Sequence, residues 1–192
     1  MLAIFLDTET TGLDALIYHP IEIALKIIDL KNQALLGSYD SLIYQTENDW
    51  QKRDLNSIEI NQLTWEEVKR GKRKEVVSQE IIDLFTKVGI RRGHSMFVCQ
   101  NPSFDRSFFN QIVEVARQEA LFWPYHWLDL ASMYWARRLL IDGKKNKESL
   151  DQVLFSKDEI AKYYGLPKED KPHRAMNGVN HLIECYLAVT SE

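Results

Sequence analysis

The sequence is poor in cysteine, has no long hydrophobic run and carries no excess of positive charge, and each shortage closes off a class of protein. Two cysteines in 192 residues cannot build a disulfide framework, and Cys99 and Cys185 lie in apolar stretches that suit small core residues in a reducing compartment. The first apolar stretch, Leu2 to Leu6, runs straight into Asp7, too short for a signal-peptide core or a membrane span. No other segment is longer, so the expectation is a cytoplasmic protein with no membrane partner. A formal net charge of −4 argues against broad, charge-driven coating of duplex nucleic acid. It leaves room for a narrow site that grips a few phosphates. Repeats, low-complexity tracts and interdomain linkers are also missing.

What is present is ordinary for a folded chain, with 45% hydrophobic and 27% charged residues. The length allows one sizeable core, so residues 1–192 are expected to form a single domain. Basic residues cluster locally at Lys69 to Lys74, at Arg91 and Arg92, and from Arg137 through Lys147. Solvated loop charge is the simpler account of each.

Ile4 to Leu6 reads as a strand covered on both faces. Ile21 to Leu30 and Leu36 to Tyr44 follow as strands, with Lys31-Asn32-Gln33 as the turn between them. Thr46 to Arg73 is a polar connection whose scattered apolar anchors predict short helical turns. Val77, Ile81, Leu84, Phe85 and Val88 recur at helical spacing, and Gly89 stands where that helix would stop. Ser95 to Cys99 is a further strand, followed by a helix whose stripe runs from Phe108 to Ala116. Trp127 to Leu140 is read as a helix, and Val179, Leu182, Ile183, Tyr186 and Leu187 mark the last one. Strands first, then strands alternating with helices, predict an α/β fold with a mixed central sheet flanked by helices.

Asp7 and Glu9 stand two apart at the end of the first strand, so their side chains leave the same face. Two carboxylates that close repel unless a proton or a cation compensates, and a hard divalent ion such as Mg²⁺ or Mn²⁺ suits oxygen ligands. On spacing alone the pair fits a plain strand-to-loop junction equally well. Asp105, taken alone, is most simply a helix N-cap. His173, close to a proline, is most simply a surface residue.

Three blocks in order change that reading. Phe5-Leu6-Asp7-Thr8-Glu9-Thr10-Thr11-Gly12-Leu13, then Asn101-Pro102-Ser103-Phe104-Asp105, then His173-Arg174-Ala175 resemble the motifs of the DEDDh-type 3′→5′ exonucleases, the DnaQ-like and ribonuclease T-like proteins. Pro20-Ile21-Glu22-Ile23-Ala24 resembles that family's second strand. The resemblance implies a ribonuclease H-like fold and two ions, Mg²⁺ or Mn²⁺, with Asp7, Glu9 and Asp105 among their ligands. It makes His173 the general base of a hydrolysis that frees nucleoside 5′-monophosphates from single-stranded DNA or RNA 3′ ends. Phe104 or Leu13 would pack on the terminal base, and Asn101 and main-chain groups near Thr10 and Gly12 would hold the nucleotide. The resemblance also suggests a homodimer in which one subunit's basic patch serves the other's site, while the sequence leaves the oligomeric state open.

One position departs from the pattern. The family's fourth carboxylate, which completes the metal shell with the first two acids, falls on Gly178. Losing a ligand-supporting group costs about 10–100-fold in metal affinity or activity, and a ligand at least that. Asn177 and His181 are the nearest replacements, neither of them charged. Asn177-Gly178 is also turn-like, which predicts a helix beginning just after it. A second reading follows, in which an impaired relative holds nucleic-acid ends or serves as a subunit. A third treats Asp7-Thr8-Glu9-Thr10-Thr11 as the signature of haloacid-dehalogenase-like phosphatases, with Asp7 the nucleophile. Against it stand the Glu at the second position and the absence of a late Gly-Asp pair.

Overall fold

The structure, a computed structural model, describes residues 1–141 and 153–191. Among these, strands β1 (Leu2–Thr10), β2 (Pro20–Asp29), β3 (Ala34–Leu42), β4 (Ser95–Cys99) and β5 (Trp127–Asp129) form one sheet in the order β3-β2-β1-β4-β5. β1 pairs antiparallel with β2 and parallel with β4, so the sheet is mixed. Helices α1 (Glu47–Gln51), α2 (Leu55–Asn61) and α3 (Trp65–Val68) punctuate the long connection, as its scattered anchors predict. α4 (Lys74–Val88), α5 (Pro102–Ile112), α6 (Val115–Ala120), α7 (Leu130–Ile141), α8 (Lys157–Tyr163) and α9 (Ala175–Thr190) complete the described elements.

Strand alternation assigns the core. Ile4 and Leu6 of β1 join Ile23, Leu25 and Phe97 beneath α4 and α5, with Phe85 and Phe109 from those helices. Ala3 and Phe5 face the other way, into Leu130, Ile160, Val179 and Leu182 of α7, α8 and α9. Each of the larger side chains among these contributes about 1.5–3 kcal/mol when fully buried. The central strands are therefore fixed from both sides.

Several boundaries differ from the sequence reading. Trp127 to Asp129 is a strand, its Trp127 ring stacked on Phe97 with centroids 3.9 Å apart. The helix begins at Leu130 because Asp129 accepts hydrogen bonds from the amides of Ala131 and Ser132, both at 3.1 Å. The stripe toward Ala116 is broken at Val113, which is extended, and the chain restarts as α6. Gln118 compensates by donating to the Val113 carbonyl at 2.6 Å. β3 begins and ends two residues earlier than read. α9 begins at Ala175, so Gly178 lies inside its first turn, not before it. Gly89 closes α4 in the left-handed region, φ 80°, as its position predicts.

Cys99 and Cys185 are both free and buried. Lys69, Lys72 and Arg92 from the basic clusters pair with Glu66, Glu80 and Glu119. They behave as locally compensated surface charge. The part of the Arg137–Lys147 cluster beyond residue 141 lies outside the described residues. No helix among the described residues is long and apolar enough to cross a membrane.

Candidate active site

Asp7 and Glu9 continue the odd-numbered face of β1, the face that Ala3 and Phe5 turn toward α8 and α9. Thr8 faces the opposite side. β4 pairs with β1 only as far as Phe5↔Val98 and then turns away into α5. The Thr8 amide beyond that point needs another acceptor, and Asp105 Oδ1 supplies it at 3.1 Å while also accepting from the Thr8 hydroxyl at 2.9 Å. Asp105 is buried. It is not the cap of α5, whose N-cap is Asn101 in the left-handed region with Pro102 next, but stands one turn in.

The other wall of the site comes from α8, the loop after it, and α9. Lys157 is the first residue of α8, and its Nζ lies 3.4 Å from Asp7 Oδ1, 3.0 Å from Glu169 Oε2 and 3.4 Å from the Gly178 carbonyl. Glu169 is 3% exposed at the side chain and reaches His173 as well, with its Oε1 3.2 Å from Nδ1. A continuous chain of contacts therefore runs Asp7, Lys157, Glu169, His173. The segment carrying His173 is clamped to the sheet by its neighbour Arg174, which donates through Nε and Nη2 to Glu22 on β2, the shortest contact being 2.7 Å. Glu22 also accepts from the Ala175 amide at 2.8 Å, which starts α9 at that point.

Gly178 sits against Asp7. A Cβ built there would overlap Asp7 Oδ2 and lie 3.0 Å from Lys157 Nζ. Asp7 and Lys157 together fill the space a side chain at 178 would need. His181, proposed as a substitute, is aimed elsewhere: its Nε2 donates to the Pro167 carbonyl at 3.1 Å, and its Nδ1 lies 3.7 Å from Glu169.

Burial raises Asp7 above the usual carboxylate range despite Lys157 beside it, and burial together with Asp7 raises Asp105 well above it. Glu9 is pushed up to about 8 by burial, with Asp7 and Glu22 adding repulsion. Burial opposes the charge on Lys157, but Asp7 and Glu169 outweigh it and raise its pKa. One ammonium thus faces more carboxylate than it can neutralise. This excess, presented entirely by oxygen donors, fits a hard divalent cation. The fit is incomplete as the side chains stand, because among the described residues no three acids, histidines or cysteines converge on one point. Asp105 is held by Thr8, and Asp7 is held by Lys157.

Leu13, Asn101 and Phe104 line one groove of about 810 Å³ together with Ser103, Ser107 and Gln111, beside the turn that carries Asp105. Leu13 is 76% exposed there. Thr10 and Gly12 do not line it. The Thr10 hydroxyl donates to the Gly12 carbonyl at 2.7 Å, and Asn61 donates to the Thr10 carbonyl at 3.3 Å, so these groups hold the loop itself. The sequence reading passed over Lys157, Glu169, Arg174 and the pairing role of Glu22. The available signal was the missing acid at 178, which asks for a compensating charge.

A mixed sheet flanked by helices, with carboxylates at the end of its central strand, is the ribonuclease H-like fold of the DnaQ-like exonucleases. Residues 4–186 match the model of the RNase T exonuclease family, and the chain belongs to that family. Among solved structures it is similar to cell-death related nuclease 4, at 15% identity and a TM-score of 0.71 over 96% of this chain and 62% of that one. It is similar to exonuclease I at 18% identity and a TM-score of 0.75, covering 98% of this chain and 40% of that one. The zinc-bound complex of Escherichia coli exonuclease I with single-stranded DNA matches at 17% identity and a TM-score of 0.72, with 98% and 40% covered. The chain therefore spans between two fifths and three fifths of the length of these structures. No curated protein sequence matches it.

Proposed function

We propose that the chain is a divalent-metal-dependent 3′→5′ exonuclease that releases nucleoside 5′-monophosphates from single-stranded DNA or RNA. The observation that carries the reading is the Glu169–His173 pair beside Asp7. With Nδ1 facing a carboxylate, the neutral imidazole carries its proton there and leaves Nε2 as the acceptor. His173 is then the base that takes a proton from the attacking water. Asp7, Glu9 and the free oxygen of Asp105 would hold the metal, which when bound supplies charge stabilisation at the phosphate and the leaving oxygen.

The remaining residues bind and orient. Phe104 and Leu13 offer the terminal base an apolar surface in the groove, and stacking of this kind is tolerant of sequence. Glu22 and Arg174 fix the start of α9 and with it the position of His173. Family membership and the single-stranded DNA held by the E. coli relative support the substrate class.

The test is degradation of 3′-labelled single strands, DNA and RNA separately, with Mg²⁺, Mn²⁺ or chelator. Monophosphate release that needs the metal and disappears in Asp7→Ala is expected. Release in chelator, or none under any metal, overturns the reading. The second outcome would favour the alternative that Gly178 and Lys157 suggest, a nucleic-acid-end binding protein or subunit that does not hydrolyse.

A further inference from the structure

We propose that the Lys157 ammonium takes the place of one of the two cations, so that this site binds a single divalent ion. The inference deepens the proposed function and rests on it for the nature of the site. Its geometry lies in Lys157 and Gly178, which act as one feature.

A fourth carboxylate at position 178 would share a cation with Asp7 and Glu9. In this chain the acid is gone, and an ammonium group stands 3.4 Å from Asp7 and 3.4 Å from the main-chain oxygen of Gly178 itself. Removing one carboxylate lowers the charge a second cation has to balance, and the ammonium supplies one positive charge at Asp7, shared with the buried Glu169 carboxylate at 3.0 Å. Volume agrees with charge. A Cβ at 178 would overlap Asp7 Oδ2 and meet Lys157 Nζ at 3.0 Å, so an acid at 178 requires both Asp7 and the tip of Lys157 to shift.

Lys157 is not a flexible surface side chain that has drifted in. It is 13% exposed and opens α8, whose Ser156 cap accepts from the Glu159 amide at 3.2 Å. α8 is anchored through buried Ile160 and Ala161 in the core shared with α9. Glu169 holds the ammonium from the other side at 3.0 Å, and the Glu169 amide is held in turn by Asp158 at 3.0 Å. A buried lysine is costly unless its partners are placed for it, and here both are. Glu9, the second oxygen of Asp105 and the remaining capacity of Asp7 are the donors left for one ion, which would have to draw them together, since among the described residues they do not converge as the side chains stand.

The experiment counts ions by calorimetry and by electron paramagnetic resonance of Mn²⁺ added to the metal-free full chain. About one Mn²⁺ per chain, without the signature of a coupled pair, is expected. Two ions, or none, overturn the proposal. Lys157→Met, which frees Asp7 of its competitor, is expected to tighten Mn²⁺ binding about 10-fold or more, the scale on which supporting groups tune metal sites. Unchanged affinity counts against the proposal. The double variant Lys157→Met, Gly178→Asp is expected to bind two ions, because Asp7, released from the ammonium, is free to swing away from the new Cβ. If it does not fold, the count on the unmodified chain still decides. One ion without nucleotide release would leave this inference standing and defeat the exonuclease reading, whereas two ions with release would do the reverse.

Discussion

The two walls of the site were built under different constraints. The α5 wall keeps the family pattern: a strand ends, Asn101 turns in the left-handed region, and Asp105 closes the open edge of β1 through Thr8. The α8–α9 wall departs from the motif read in the sequence, with an ammonium beside Gly178, where the resemblance implies an acid, and a buried Glu169 joining that ammonium to His173. The first wall is fixed by backbone geometry, since the Thr8 amide needs its acceptor whatever chemistry follows. The second is held by side-chain charges, with the Gly178 carbonyl and the Ala175 and Glu169 amides as main-chain partners. Its charges can be exchanged so long as they balance.

The comparison is broken most severely at His173. His173→Ala removes the proposed base and should lower kcat by about 10²–10⁴-fold in the strand-degradation assay, with melting temperature unchanged. Equal rates in the two proteins would move the base elsewhere. Glu169→Gln keeps the size of the side chain and removes the charge that orients His173 and balances Lys157. A loss of about 10–100-fold in kcat, at similar KM, is expected. The opposite wall is tested by Phe104→Ala, which removes a stacking surface worth about 1–3 kcal/mol per base and should appear in KM more than in kcat. A change confined to kcat would place Phe104 outside the substrate groove.

Gly178→Asp separates the walls again. Judged from the motif alone, this substitution restores an acid and should raise the rate. The structure reverses the expectation, because the new Cβ collides with Asp7 and the new carboxylate meets Lys157 rather than a metal. The single variant should lose about 1–3 kcal/mol of stability, seen in thermal melting, and gain no activity.

The same contrast governs what the sequence made legible. Alternation in β1 and the three motifs are local signals that pick out Asp7, Glu9, Asp105 and His173, whereas the cap of α5, read from the sequence at Asp105, falls at Asn101. Lys157 was not legible, because its partner Asp7 is 150 residues away and its neighbours Ser156, Asp158 and Glu159 read as a solvated helix start. Glu169 sits in a polar run between Lys168 and Asp170 that resembles an exposed loop, yet it is buried. Trp127 to Asp129 was misread because three residues carry no period, and pairing with β4 decided the outcome.

The smallest effect concerns stability against pH in the metal-free protein. Glu9 carries a folded pKa of about 8 against an ordinary 4.5, raised first by burial and then by Asp7 and Glu22. Between those values the unfolded chain has released this proton while the folded chain retains it, so the folded state binds more protons and stability falls as pH rises from about 4.5 to 8. Above 8 the contribution levels off. Lys157 and Arg174 face the same carboxylates and stay charged throughout, so they do not reverse the sign. Urea unfolding in chelator at pH 5, 6.5 and 8 should show this decline, and Mn²⁺ should flatten it, since a bound cation does for Glu9 what the proton did. A metal-free stability that climbs over the same interval would mean that Glu9 is already neutralised by a partner, and that the excess of carboxylate on the α9 side of β1 is smaller than its burial implies.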